Sequence, residues 1–244
     1  MKLPLALQNP SFRAFWGGTL ISVIGFQMLR FTQFWLIFDI TDSSLYIGYL
    51  ALASGIPTIV FNIIGGVYAD RLNQKMLVFT TQLLLAIFIF ILFLLTFIGV
   101  INEWHIIILA LLSGSVEAFD QPARRALYPS LIDREAIPSG VALLSGIWPG
   151  TRIIAPAIAG FLIVWTSVAT TILISAIGFL IMAIIALTLK VNFSPQQKNT
   201  SPLEDLLEGF SYIKSHSIFR FIISITFFQS FFALAYIPMM PVIA

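Results

Sequence analysis

The chain has 244 residues, of which 59% are hydrophobic and only 10% charged, with 23 Phe and a formal net charge of +2. A soluble domain carries about 25% charged residues. This much apolar surface cannot hide in a core of this size, so a soluble enzyme is excluded and much of the surface faces lipid. The absence of Cys rules out disulfides and thiolate metal sites.

In chain order, the N-terminal stretch MKLPLALQNPSFR makes a poor signal peptide. Its apolar piece is short, Pro10 interrupts it, and no small-residue cleavage site follows, so the first long apolar segment is expected to remain as a span. A helix crosses the bilayer core in about 20 residues. Segments near 12–38, 45–69, 76–100, 104–126, 138–164, 168–190 and 217–240 reach that length. All are read as helices, because lipid gives an open strand nothing to hydrogen-bond with.

The bases alternate with the spans. Lys2 and Arg13 precede the first, Arg71 and Lys75 lie between the second and third, and Arg124, Arg125 and Arg134 between the fourth and fifth. Lys190, Lys198, Lys214 and Arg220 flank the stretch between the sixth and seventh, while Asp39, Asp42, Glu103 and His105 stand at the opposite ends. The positive-inside rule therefore puts the N-terminus in the cytoplasm, with Trp104 and Trp165 at the outer interface. The polar insert 191–216 reads as a cytoplasmic linker followed by an amphipathic surface helix carrying Leu203, Leu206, Leu207 and Phe210 on one face.

Segments three and six are nearly pure oil and suit lipid-facing positions. The first, second, fourth and fifth carry Gln27, Arg30, Gln33, Asn62, Glu117 and Arg152. Ionisable groups at membrane depth face a cavity or a partner, so these residues are candidates for binding substrate or protons. Arg152 lies roughly 21 Å past Pro138 at 1.5 Å per residue, too central to snorkel easily. Arg30 either snorkels to the outer interface or faces the cavity. Glu117, about four residues from the inner end of its segment, either pairs with a nearby base or carries a proton. In the fifth segment, small residues recur at Ala142, Gly146 and Gly150 and at Thr151, Ala155 and Ala159, two ridges suited to close helix packing. Pro149 and Pro156 leave the carbonyls of Ser145 and Arg152 without helical partners and predict a bend.

The break GGVYADRLNQK, Gly65–Lys75, combines a bare helix end with Asn73, which suits a left-handed reversal. Asp120 stands four residues before Arg124, a favourable helical ion pair. These charges either cross-link the inner helix ends or simply mark a cytoplasmic loop.

Gly66, Asp70, Arg71 and Lys75 resemble the loop signature of the major facilitator superfamily, with Asn73 in place of the usual glycine and Gln74 in place of a base. RIIAPAIAG, 152–160, is similar to the fifth-helix motif of its exporters, with Ala155 and Ala159 in place of glycines. AFDQPARRALYPSLIDREAIPSGVALLSG resembles the branch of siderophore exporters and macrolide efflux proteins. The resemblance implies two six-helix halves around a midplane site that alternates its access. It implies an inner gate of Gly66, Asp70, Arg71, Lys75, Asp120 and Arg124, and packing and bending at Gly150, Ala155, Pro156 and Gly160. The expected fold is all-α integral membrane: a six-helix bundle over 1–190, the linker over 191–216, and a seventh transmembrane helix over 217–244 that begins a C-terminal half missing from the chain.

The expected function is a secondary active transporter, a proton-coupled exporter of small amphipathic molecules in the cytoplasmic membrane. Its partners would be lipid, a small-molecule substrate, protons, and a missing second half or second copy. The alternative is a non-transporting remnant or scaffold. A seven-helix receptor fits poorly with an inside N-terminus. No nucleotide loop, metal cluster, cofactor motif or nucleophile constellation is found, and no nucleic-acid partner is expected.

Overall fold

A computed structural model describes residues 3–191, 213–229 and 232, apart from the side chains of Ile63, Val67 and Asp70. Every regular element among the described residues is helical. A short α1, Leu5–Gln8, leads into α2, Pro10–Thr41. The Asn9 side chain caps α2 by accepting from the amides of Ser11 and Phe12, and Pro10 needs no partner at the first position. Asp42 ends α2 in the left-handed conformation, φ 48°. Then come α3, Ser44–Arg71, α4, Gln74–Phe97, and α5, Glu103–Leu127. Asn102 and His105 cap α5 reciprocally, side chain to backbone.

The fifth predicted span is two helices, α6, Ile137–Ser145, and α7, Ile147–Trp165, which meet at Gly146. Pro149 has no N–H for the Ser145 carbonyl, and the break falls one residue beyond that carbonyl. Pro156 stays inside α7 without a break. The bundle closes with α8, Val168–Thr188, and α9, Ser217–Phe228, is exposed throughout. Among the described residues, six segments are long and apolar enough to cross a membrane. The predicted surface helix at 203–210 and most of 230–244 lie outside the described residues.

Packing follows size. α3 lies along α5, α4 along α8 and α5, and α2 along α8 and α7. One apolar cluster, including Ile37, Ile47, Leu92, Ile106 and Ile172, fills the end away from the basic loops; a second, including Phe12, Phe15, Val78, Leu127 and Met182, fills the basic end. A buried polar layer lies between them.

The turn after α3 corrects two expectations. The helix runs straight through Gly65 and Gly66 to Arg71. Asn73 is extended, φ −64° and ψ 104°, rather than left-handed, and its side chain caps α4 by accepting from the Met76 amide. The tight approach falls on Gly65, not on Gly66. A Cβ on Gly65 would collide with the Ala118 carbonyl of α5, and one on Gly114 would stand 2.5 Å from the Ser54 carbonyl of α3. A Cβ on Gly66 meets nothing within 4 Å. Glycine here lets two backbones touch.

The small-residue ridges of the fifth span also separate. Thr151, Ala155 and Ala159 are buried, the two alanines packing with Met28 of α2, whereas Ala142, Gly146 and Gly150 are exposed. Gly160 is merely near Phe31, 3.9 Å from where its Cβ would be.

Overpacking a tight contact costs about 1–3 kcal/mol. Gly65→Ala and Gly114→Ala are therefore expected to lower the melting temperature in detergent, and Gly66→Ala to leave it unchanged. Equal shifts at Gly65 and Gly66 would contradict the packing described.

Candidate functional site

The polar layer is organised by one carboxylate. Asp120 on α5 is 5% exposed, and its Oδ2 accepts from Nε of Arg124 at 2.7 Å, one turn along the same helix. Its Oδ1 accepts from the Thr81 hydroxyl of α4 at 2.8 Å. That hydroxyl also lies near the Leu77 and Val78 carbonyls, but its single proton has its shortest approach at Asp120. Nη2 of Arg124 donates to Ser22 Oγ of α2 at 2.9 Å. Three helices are thus joined by charge-assisted bonds in a layer where water is scarce.

Not every polar atom there is satisfied. Arg124 Nη1, Thr19 Oγ1 and both amide atoms of Gln82 are buried without a hydrogen-bond partner among the described residues. Arg has five N–H donors and no acceptor, and Nη1, with almost no exposed surface, leaves its own unused.

Beside this layer open two chambers of about 350 Å³ each. The first, near the basic loops, is bordered by Thr19, Ser22, Asp120, Arg124, Arg125 and Tyr128. The second is bordered by Arg30, Gln33, Ser54, Thr58 and Ser113. They share Phe26, Leu85, Glu117, Gln121, Trp148 and Phe179, so Glu117 stands at the waist. Arg30 and Arg124 attract its carboxylate and Asp120 repels it. Because α5 continues to Leu127, Glu117 sits about 15 Å from that helix end at 1.5 Å per residue, deeper than the sequence suggested. The described residues hold no cluster of His, Cys, Asp and Glu suited to a metal ion.

The structure brings Arg30, Gln33 and Glu117 to the chambers and leaves Gln27, Asn62 and Arg152 outside both. Each three-residue step turns a helix about 60° short of a full circle, so Gln27 and Gln33 point about 120° apart. Asn62 is exposed beyond Thr58 and Ile59. Arg152 is turned about 100° from buried Thr151 and joins the open face of α7 with Ile153, which is 81% exposed.

Of the expected gate, Asp120 and Arg124 pair, but Asp120 lies within α5 rather than in a loop. Arg71 is the last residue of α3, and the Asp70 side chain is outside the described residues. Lys75 Nζ donates to the Leu189 carbonyl at 2.8 Å, holding the start of α4 against the end of α8. Sequence reasoning missed Ser22, Thr81, Gln82 and Gln121. A Thr81–Gln82 pair at the head of an otherwise oily segment was the one visible signal.

Among the described residues, six apolar spans around a charge-bearing cavity define a multi-pass membrane protein. The profile of the family described as transmembrane secretion effector matches residues 4–244. The chain belongs to this family, within the major facilitator superfamily. It is 27% identical over 183 residues to the staphyloferrin A transporter of Staphylococcus aureus, covering 75% of this chain and 46% of that protein. It is 22% identical over 209 residues to macrolide efflux protein A of Streptococcus pyogenes, covering 84% and 51%. It is 27% identical over 213 residues to the enterobactin exporter EntS of Escherichia coli, covering 87% and 51%. The chain spans about half the length of the curated relatives it matches. No solved structure matches it. These relatives are named as transporters, not enzymes.

Removing one partner of a buried ion pair costs about 3–5 kcal/mol, because the other charge stays behind unpaired. Asp120→Ala is expected to destabilise the bundle by that order in a denaturant titration. Asp120→Leu combined with Arg124→Met should recover much of the loss. A single mutant as stable as the parent would show that Asp120 does not bind the three helices together.

Proposed function

We propose that the chain forms the N-terminal part of a secondary active exporter of small amphipathic molecules, siderophore-like or drug-like, working by alternating access. The observation that carries this reading is Glu117. An ionisable acid deep in a span is costly unless a cavity and counter-charges receive it, and here it borders both chambers between Arg30 and Arg124. Such a group is suited to exchange a proton when one side of the cavity opens to water. The alternation of basic loops supports an inside N-terminus in the cytoplasmic membrane. The names of the relatives support export of siderophore or macrolide molecules.

A second reading has its own support. The open apolar face of α7, with Ile153 and Val164 each 81% exposed, and the exposed α9 favour a bundle that works only with a separate second half or a second copy. Without that partner the chain would be a non-transporting scaffold.

Proteoliposomes loaded with a fluorescent acidic amphiphile, with an imposed pH gradient, separate the two. Gradient-driven flux is expected when the chain is co-reconstituted with a six-helix C-terminal half of a relative, and Glu117→Gln should abolish most of it while leaving substrate exchange without a gradient. Full gradient-driven flux in Glu117→Gln would overturn the proton role. No flux with or without that half would favour the second reading, a non-transporting scaffold.

A further inference from the structure

Resting on the transporter reading, we propose that Gln82 is a positioning residue with a reserve role. Its amide, idle here, takes over from Thr81 as the α4 partner of the Asp120–Arg124 pair when α4 moves against α5 in a second arrangement of the bundle.

One hydrogen-bond network in the polar layer is closed and another is open. Thr81, Asp120, Arg124 and Ser22 are bonded in series across α4, α5 and α2. Gln82, Arg124 Nη1 and the Thr19 hydroxyl stand on the same three helices, buried and without partners among the described residues. Each is next to a bonded group. Gln82 follows Thr81, and Thr19 lies one helical turn before Ser22. The idle atoms are also complementary: Gln82 Oε1 accepts and Nη1 donates, while Gln82 Nε2 donates and both Asp120 and Thr19 accept. Gln82 is 0% exposed, so its amide bears the full cost of leaving water with nothing in return. An apolar side chain of the same size would avoid that cost, so the amide needs a use in another arrangement.

The geometry of α4 supplies the movement. At about 100° per residue, Thr81 and Gln82 stand on either side of Leu85, about 40° and 60° from it. Leu85 borders both chambers, so both polar side chains lie on the inward half of the helix. A turn of α4 that carries Thr81 past Asp120 brings Gln82 up behind it, and the longer, freely rotating amide spans the remaining distance. Lys75 clamps the foot of α4 to the Leu189 carbonyl. Beyond that foot, Thr81 is the one α4 side chain bonded to another helix among the described residues, and the other contacts are apolar. The exchange leaves the ion pair whole, because Asp120 and Arg124 both belong to α5. The layer therefore has two satisfied arrangements instead of one satisfied and one broken.

A mutant cycle and single-site labelling, both in lipid nanodiscs, test the reserve role. Gln82→Met and Gln82→Leu are each expected to raise the melting temperature by removing an unpaired amide. Thr81→Val alone should lower it slightly, because Gln82 steps in, and Thr81→Val with Gln82→Met should fall well below the sum of the two effects. The chain has no Cys, so Ser145→Cys in the first chamber and Ser113→Cys in the second each give one labelling site. Losing a hydrogen bond made only in the second arrangement lowers its population about tenfold. The ratio of the two maleimide labelling rates should shift by about that factor in Gln82→Met, whereas a merely structural residue would change both rates together. A lower melting temperature for both Gln82 variants, an additive cycle, or an unchanged ratio would overturn the inference. A coupled cycle and a shifted ratio in a chain that gives no flux with its C-terminal half would sink the exporter reading alone. Flux with an additive cycle and an unchanged ratio would sink the role of Gln82 alone.

Discussion

A single buried carboxylate ties the bundle together. Asp120 accepts from α4 through Thr81 and from Arg124, and Arg124 in turn reaches α2 through Ser22. In lipid there is little hydrophobic drive between helices, so close packing and polar bonds carry more of the association. Both kinds occur on α5. Gly114 and the Ala118 carbonyl let α3 lie against one side, and Asp120 fastens α4 and α2 on the other. The ion pair is internal to α5, so its charge is balanced before any other helix arrives, and Thr81 and Ser22 add neutral donors and acceptors rather than further charge.

That arrangement also explains why the cavity lies where it does. The two apolar clusters close the ends of the bundle, and polar side chains between them hold the helices apart enough to leave space. The walls come mainly from α2, α3, α5 and the α6–α7 pair, with Leu85 of α4 and Phe179 of α8 forming an oily floor. The break at Gly146 places Ser145 and Trp148 on either side of a helix junction at the cavity wall.

The spans were legible because bilayer thickness imposes a length on any apolar helix, and only composition is needed to see it. The Asp120–Arg124 pair was legible because four residues on a helix always meet. Their partners were not: Thr81 and Ser22 are distant in sequence, and nothing local states which helix will pack beside which. Rotation about a helix axis was equally hidden. It decides that Gly65 rather than Gly66 touches α5, that Gln27 leaves the face of Arg30 and Gln33, and that Arg152 looks away from the chambers while Thr151 is buried. Asn73 was misread because asparagine serves both left-handed turns and helix N-caps, and the choice depends on where α4 begins.

The bond from Lys75 to the Leu189 carbonyl has a mechanical meaning. An ammonium on the last carbonyls of a helix complements the dipole there and clamps the stretch of chain that leaves it. The polypeptide therefore departs from the sixth span at an anchored point. The clamp falls six residues before Thr81, on the same helix that supplies Asp120 with its hydroxyl partner.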